Sequence, residues 1–171
     1  FYMEPSSLHI NEEGSHALMN VIKVFNNAEK WFHLEEASNE KLSNLDVIMM
    51  RQDPPFDSDY IYNTYVLEAA EKEGVSVINR PRSLRDCNEK VFATEFPECC
   101  TPFLVTSDPN LLKSFIEDHG DTVIKPLDGM GGSSIFRLRY SDPNLNVILE
   151  TITESFTTKV MIQTYIPEIT D

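Results

Sequence analysis

A lysine followed by a run of glycines is the part of this sequence with the clearest capacity for chemistry. Lys125 ends an apolar stretch and leads into a segment that contains Gly129, Gly131 and Gly132. Glycines adopt positive φ and leave their backbone N–H groups accessible, so this spacing suits a concave cradle for an anion. An ammonium group at such a place is costly unless an anion pairs with it. The segment therefore predicts a phosphate-binding loop, with a plain hairpin turn and a solvated lysine as the alternatives.

Two familiar phosphate motifs do not fit this loop. A Walker A motif requires a lysine directly after its last glycine and then a helix, whereas Ser133 follows Gly132. A dinucleotide fingerprint requires another glycine three residues beyond Gly131, where Ser134 stands. A glycine loop between two strands instead indicates a flexible flap that closes over phosphates.

A second lysine, Lys90, lies earlier in the chain and is flanked by Asp86 and Glu89. These neighbours make an ordinary salt bridge on the surface of a helix the simplest interpretation of Lys90 by itself. The sequence has no carboxylate cluster suited to a metal ion. The histidines also lack the spacing of metal ligands: His9, His16, His33 and His119.

The elements that would position a site begin with a strand–helix–strand pattern. The apolar run Val47–Met50 is typical of a buried parallel strand. A helix with Ser58 as its cap and Gly74 at its end follows, and Val75–Ile78 forms the next strand. This order indicates a βαβ unit.

Side chains that act in a βαβ sheet collect at the carboxyl ends of its strands. Arg51 and Asp53 follow the first of these strands, and Asn79 follows the second. We therefore expect these three residues at the functional edge of the sheet.

The second half of the chain alternates helices and strands, so the fold class is α/β. Pro81 ends the second parallel strand, and a domain boundary is expected near residues 81–90. The expected elements are a helix over 88–96, a strand over 103–105, a helix from Ser107 to Gly120, strands over 122–126 and 135–138, a helix from Asp142 through Ile152, and a strand over 160–166.

Composition narrows the classes of function. The 171 residues are 41% hydrophobic, which suffices for a packed core, and no segment approaches the length of a membrane span. The net charge of −14 argues against nucleic acid and anionic membranes as partners. An odd number of cysteines without paired spacing, and no signal peptide, indicate a reducing compartment and hence the cytoplasm. The ends at Phe1 and Asp171 lead us to expect a piece of a longer protein.

Several blocks together resemble a known family. The lysine pair, the glycine loop and the strand end at Gln163–Pro167 resemble the ATP-grasp superfamily. The blocks 50–57, 83–90 and 125–132 are more specifically similar to bacterial glutathione synthetases. The resemblance implies a parallel-sheet pre-ATP-grasp domain on the substrate side over residues 1–88, without its N-terminus. The first half of an ATP-grasp domain would then occupy residues 89–171.

The resemblance also implies roles for the matching residues. Lys90 and Lys125 would bind ATP phosphates from opposite sides of the cleft, and Lys125 would also act in catalysis. Arg51 would lie near the peptide substrate. The loop over the phosphates would be Gly129, Met130, Gly131 and Gly132, and the hinge that reads the adenine edge would be Gln163, Thr164, Tyr165 and Ile166.

By the same resemblance, the activity is glutathione synthesis. ATP would phosphorylate γ-glutamylcysteine, and glycine would attack the acyl phosphate to give glutathione, ADP and phosphate. Mg²⁺ would be required, with its ligands expected beyond residue 171, so we expect this chain to be inactive by itself. The intact enzyme is expected to be a homo-oligomer. The alternatives are another ATP-grasp carboxylate–amine ligase, such as a D-alanine ligase or a glutamate-adding enzyme, and a non-catalytic nucleotide-binding module.

Overall fold

The computed structural model of the protein describes residues 1–52 and 55–170, and the chain divides into two compact units. The first unit comprises Phe1–Asp86 and the second comprises Cys87–Asp171. Each unit has its own strands and its own cluster of buried apolar side chains. Within the described ranges, no helix combines the length and the apolar character that a membrane crossing requires.

The first unit combines antiparallel strands with a strand–helix–strand motif. Its elements are β1 Tyr2–Met3, β2 His9–Asn11, β3 Gly14–Asn20, β4 Ile22–Val24, β5 Phe32–Leu34, β6 Ser38–Lys41, β7 Val47–Met49, α1 Ser58–Lys72, β8 Ser76–Ile78 and α2 Pro81–Asp86. Strands β1, β2 and β6 each pair antiparallel with β3, and β4 pairs antiparallel with β5. The antiparallel part was not predicted from the sequence.

Strands β7 and β8 are parallel, with Ile48 opposite Val77, and α1 connects them. The predicted βαβ unit is therefore confirmed. Helix α1 is capped by Asp57 rather than by Ser58 as predicted, because the Asp57 carboxylate accepts the N–H of Tyr60 at 2.8 Å. Gly74 follows the helix with a φ of +105°.

The predicted burial of the whole run Val47–Met50 is wrong. Ile48 is 4% exposed, whereas Val47 and Met49 are 51% and 66% exposed. Successive side chains of a strand point to opposite faces, and only the face that carries Ile48 packs against the core of this unit. That core also contains Leu67 from α1.

The second unit is a four-stranded antiparallel sheet with two helices. Its elements are β9 Phe103–Thr106, α3 Pro109–His119, β10 Thr122–Pro126, β11 Phe136–Leu138, α4 Leu145–Ile152 and β12 Val160–Thr164. The strand order is β11-β10-β12-β9. Its buried core joins both helices to one side of the sheet, through Leu112, Ile116, Ile124, Leu138, Leu145, Leu149, Ile152, Val160 and Ile162.

Local sequence signals set the bounds of α3. The Asp108 carboxylate accepts the N–H groups of Asn110 and Leu111, and Pro109 occupies the start of the helix. Gly120 ends the helix with a φ of +75°. The predicted helix from Ser107 to Gly120 is thus confirmed.

Two expectations for the second unit are corrected. The helix expected over 88–96 is absent from the described residues of that stretch; the Asn88 side chain accepts the N–H groups of Lys90 and Val91, which makes a turn, and a short 3-10 helix follows at Phe92–Glu95. Strand β12 ends at Thr164, so Tyr165 and Ile166 follow the strand rather than belonging to it.

Candidate functional site

The two faces of the second sheet differ in what they present. Ile124 lies opposite Ile162 and faces the helices, since both belong to the buried core. Side chains alternate along a strand, so the other face carries the residues between them. We call this the far face and define it by Val123 and Lys125 on β10 and by Met161 and Gln163 on β12. Lys125 lies opposite Met161, and Val123 lies opposite Gln163.

Lys125 lies at the end of β10 with its side chain partly buried. Burial lowers the pKa of this ammonium from its ordinary value of 10.5, and the positive charge of Lys90 lowers it further. Cys100 and Glu89 act in the opposite direction. Within residues 1–52 and 55–170, the structure gives the Lys125 ammonium no hydrogen-bond or ion-pair partner. It is a desolvated cation that an anion would stabilise.

Lys90 approaches the same place from the segment before β9. Its ammonium donates to the Gly129 carbonyl at 2.8 Å, to the Leu127 carbonyl at 3.2 Å and to the Glu89 carboxylate at 2.7 Å. The side chain is only 11% exposed. The salt bridge to Glu89 is present, but its expected place on the surface of a helix is wrong, because residues 88–91 form a turn and Lys90 is largely buried against the backbone of the glycine loop.

The two predicted phosphate-binding lysines are therefore neighbours. Each is partly buried, and the charge of Lys90 acts on the pKa of Lys125. Glu89, which forms an ion pair with Lys90, is itself mostly exposed, and its pKa is lowered chiefly by the hydrogen bond from Lys90. Two cations beside one acid leave a net positive site, which suits a phosphate.

The glycine loop has the backbone that its sequence requires. Gly131 and Gly132 adopt φ of +67° and +79°, which side chains with a Cβ rarely adopt. A Cβ at Gly129 would lie 2.6 Å from Cγ of Pro126, so a side chain there would displace the ring. Met130 is 46% exposed at the tip. No heavy atom lies within 4 Å of a Cβ built at Gly131 or Gly132, so a ligand can approach the backbone of these residues closely.

The predicted hinge lies at the opposite end of the far face. The Thr164 N–H donates to the Pro102 carbonyl, and the Tyr165 N–H donates to the Asp121 carbonyl at 3.0 Å each. Among the described residues, the Tyr165 carbonyl and the Ile166 N–H have no hydrogen-bond partner. These two groups belong to one trans peptide and point in opposite directions, so only one of them can face a given base. The Ile166 N–H can donate to a ring nitrogen of a base.

The spacing between the two ends fits one elongated ligand. Lys125 and Asp121 are four residues apart along the strand direction, which at 3.3–3.4 Å per residue is about 13 Å. Val123, Met161 and Gln163 lie between them on the far face. Phosphates near Lys125 and a base near Tyr165 would therefore share a single, largely apolar floor.

Three residues near the hinge, Asp121, Arg137 and Arg139, were missed by sequence reasoning. Asp121 accepts from Arg137 through both carboxylate oxygens, and it also accepts from Arg139 at 2.7 Å. The guanidinium of Arg137 lies 3.7 Å from the centre of the Tyr165 ring. The alternation Arg137–Leu138–Arg139 on a strand was a signal for two cations on one face, but it did not reveal their shared acid.

Arg51 belongs to the first unit and lies two residues after β7. It is exposed and lines a cavity of about 550 Å³, together with Met50, Gln52 and Leu67. The predicted edge residue Asp53 lies outside the described residues. Asn79 directly follows β8 and is exposed.

The described residues do not supply a metal site. Among them there is no group of three or more His, Cys, Asp and Glu side chains that could hold a metal ion. The three cysteines are free.

Two family models match the chain. The model described as prokaryotic glutathione synthetase, N-terminal domain, matches residues 1–85. The model described as prokaryotic glutathione synthetase, ATP-grasp domain, matches residues 89–171.

Curated relatives match along the whole chain. A glutathione synthetase from Pseudomonas putida is 54% identical over 171 residues, which are 100% of this chain and 54% of the relative. A glutathione synthetase from Pseudomonas aeruginosa is 53% identical over the same shares of the two chains. The chain thus spans about half the length of the curated relatives it matches.

A solved structure has a similar fold. D-alanyl-alanine synthetase A from Vibrio cholerae O1 aligns with 93% of this chain and 48% of its own, with a TM-score of 0.54 and 13% identity. At this level of identity the alignment shows a shared fold and carries no inference about substrate.

Proposed function

The chain belongs to the prokaryotic glutathione synthetase family, and from this premise we propose that the protein carrying it is an ATP-dependent ligase that joins γ-glutamylcysteine to glycine. The products are glutathione, ADP and phosphate. The resemblance inferred from the sequence motifs is confirmed by the family models, as is the mixed α/β fold with an ATP-grasp domain. The activity and the roles of individual residues remain our proposal.

One observation carries the proposal. Lys90 contacts the glycine loop and its charge acts on Lys125, a partly buried cation with no hydrogen-bond or ion-pair partner among the described residues. Phosphoryl transfer needs mainly positioning and charge neutralisation, and this site supplies both. An unpartnered ammonium near an open glycine backbone supports a phosphate ligand over a purely structural loop.

The reaction proceeds in two steps. A carboxylate oxygen of γ-glutamylcysteine attacks the γ-phosphorus of ATP, and the bond from that phosphorus to the oxygen of ADP breaks. The glycine amine then attacks the carbonyl carbon of the acyl phosphate, phosphate leaves with the bridging oxygen, and the amine loses a proton as the amide forms. Phosphorylation makes the second step feasible because phosphate is a far better leaving group than oxide.

The residues of this chain act on the nucleotide in that scheme. Lys125 neutralises charge on the phosphates from the floor of the far face, and Lys90 does so from the opposite side. Residues 129–132 close over the phosphates with their N–H groups. At the hinge of residues 163–166, the Ile166 N–H donates to a ring nitrogen of the base. Gln163 and Thr164 hold this hinge against the neighbouring strands.

We further propose that Mg²⁺ accompanies ATP. The described residues hold no cluster that fits the ion, so its ligands would come from other parts of the protein. No step above is assigned to residues of this chain acting through the metal.

The remaining assignments concern the setting of the reaction. Arg51 would face the peptide substrate, a role supported by its place after β7 and beside a cavity. Residues 1–88 would form the substrate-side domain and 89–171 the first half of the nucleotide domain. The protein would act in the cytoplasm as a homo-oligomer, without nucleic-acid or membrane partners. The free cysteines support the cytoplasm, and the net charge of −14 argues against nucleic-acid and membrane partners.

The test is the substrate requirement of the full-length protein that contains these residues. We expect ADP release from ATP only when γ-glutamylcysteine and glycine are both present, with one ADP formed for each glutathione. Reactions that omit one substrate are the controls. Turnover with D-alanine in place of γ-glutamylcysteine would contradict the proposed specificity, and no ATP-dependent product with any amino-acid acceptor would contradict the ligase activity.

A further inference from the structure

A closed set of contacts holds the hinge at Tyr165. The Tyr165 N–H donates to the Asp121 carbonyl at 3.0 Å. The Asp121 carboxylate binds Arg137 through two parallel hydrogen bonds, of which the one from Nε is 2.8 Å long. Arg137 in turn lies on the Tyr165 ring, with its guanidinium carbon 3.7 Å from the ring centre. The backbone and the ring of Tyr165 are thus both tied to the same acid.

This arrangement differs from an ordinary surface ion pair. Isolated exposed pairs contribute little because water screens them and side-chain entropy opposes them. Here the acid side chain is 30% exposed, its contact with Arg137 is bidentate, and the cation also stacks on an aromatic ring. Arg137 and Arg139 hold the pKa of the Asp121 carboxyl far below its usual range, so the acid stays ionised at physiological pH.

We propose that Asp121 and Arg137 are positioning residues for the base of the nucleotide: they fix Tyr165 so that the following Ile166 N–H stands ready for a ring nitrogen of the base. This inference rests on the proposed function and deepens it by adding residues that do not touch the phosphates. Releasing Tyr165 lets the peptide that carries the Ile166 N–H rotate away from the base. Affinity for ATP then falls, and discrimination between adenine and guanine falls with it, because N1 of adenine accepts a hydrogen bond whereas N1 of guanine carries a hydrogen.

The chain offers a matched control for this role. Arg139 contacts the same carboxylate oxygen of Asp121 as Arg137, at 2.7 Å, and is more exposed, at 64% against 47%. Arg139 has no stacking contact with Tyr165 among the described residues. Replacing either arginine therefore removes an ion pair with Asp121, but only the loss of Arg137 frees the ring.

The experiment compares Arg137→Ala with Arg139→Ala in the full-length protein that contains this chain. We expect Arg137→Ala to raise the KM for ATP about tenfold, from the loss of the stacking and bidentate contacts, with kcat nearly unchanged. The ratio of kcat/KM for ATP to that for GTP should fall by a similar factor. Arg139→Ala should leave both quantities within about twofold of wild type. Equal effects of the two substitutions would overturn the positioning role.

A second variant guards against a folding defect. Tyr165→Leu keeps both ion pairs of Asp121 and removes only the ring, and we expect it to raise the KM for ATP and relax base preference as Arg137→Ala does. Unchanged base preference in Tyr165→Leu would overturn the proposal even if Arg137→Ala fails to fold. Wild-type protein that does not turn over ATP would instead refute the proposed function. The two failures are therefore distinguishable.

Discussion

The removal of the Lys125 charge is the perturbation that bears most directly on the phosphate site. In Lys125→Ala, the loop and the neighbouring Lys90 keep their contacts, since the Lys125 ammonium has no hydrogen-bond partner among the described residues. The change therefore removes a charge from the far face without breaking a contact of the nucleotide-free protein. Its main effect should fall on ligand binding rather than on folding.

The magnitude follows from the environment of the ammonium. Two unit charges 4 Å apart interact with about 4 kcal/mol at an effective dielectric constant of about 20. Charged hydrogen bonds contribute about 1.5–3 kcal/mol net, because the cation is partly desolvated in both states. Lys90 remains and supplies part of the field. We therefore expect a loss of about 2–3 kcal/mol, which is about 30- to 150-fold in the dissociation constant of ATP.

The assay is calorimetric titration of the full-length protein with a non-hydrolysable ATP analogue. Lys113→Ala is the matched control, because Lys113 lies on α3, the helix that packs on the other face of the sheet. Lys125→Arg should restore part of the affinity by restoring the charge. Affinity in Lys125→Ala within twofold of Lys113→Ala would refute the placement of the phosphates at Lys125.

Four further predictions test other parts of the account. Lys90→Ala should weaken ATP binding less than Lys125→Ala does, because Lys90 must first give up its loop carbonyls and Glu89; a larger loss would contradict this order of importance. Burial lowers the pKa of Lys125, so its charge is lost as pH rises through a value below 10.5. ATP affinity measured against pH should fall in that range. Lys125→Arg should abolish the fall, because arginine keeps its charge. The pKa of Asp121 is lowered from 3.8, chiefly by Arg137. The ionised carboxylate therefore stabilises the folded protein fully above pH 3.8, and this contribution is lost as pH falls below that value. The difference in unfolding free energy between wild type and Asp121→Asn, measured with urea, should shrink on acidification, and a pH-independent difference would exclude the ion pairs as its source. Ile162→Ala, in the fully buried core, should cost about 2–5 kcal/mol of unfolding free energy in the same assay, and a cost below about 1 kcal/mol would contradict its burial.

Local signals in the sequence were enough to place the strands and the two α-helices of the second unit, although they also predicted a helix over 88–96 that is absent from the described residues. The cap at Asp108, the proline after it and Gly120 bounded α3, and the apolar alternation located β10 and β12. Once the pairing of β10 with β12 is known, the alternation of side chains along each strand also gives the face on which Lys125 and Gln163 lie. Nearby residues decide these features, so a single sequence carries them.

Features that depend on distant contacts were not predictable in this way. Lys90 contacts carbonyls on a loop far along the chain, and the irregular segment around it has no periodicity that could reveal this. The contact between Arg137 and Tyr165 joins residues brought together only by strand register. Local patterns also have a limit of their own. Met49 is exposed although it belongs to an apolar run, because the run does not show which of its residues pack against the core.

The measurement that tests the central claim most directly is amide hydrogen exchange of the full-length protein with and without a non-hydrolysable ATP analogue. The claim is that one nucleotide spans the far face, from the glycine loop to the hinge. We expect exchange to slow at residues 129–134 and at Ile166, with α3 unchanged on the opposite face. Slowed exchange confined to α3 and α4, or unchanged exchange at both the loop and the hinge, would contradict the account.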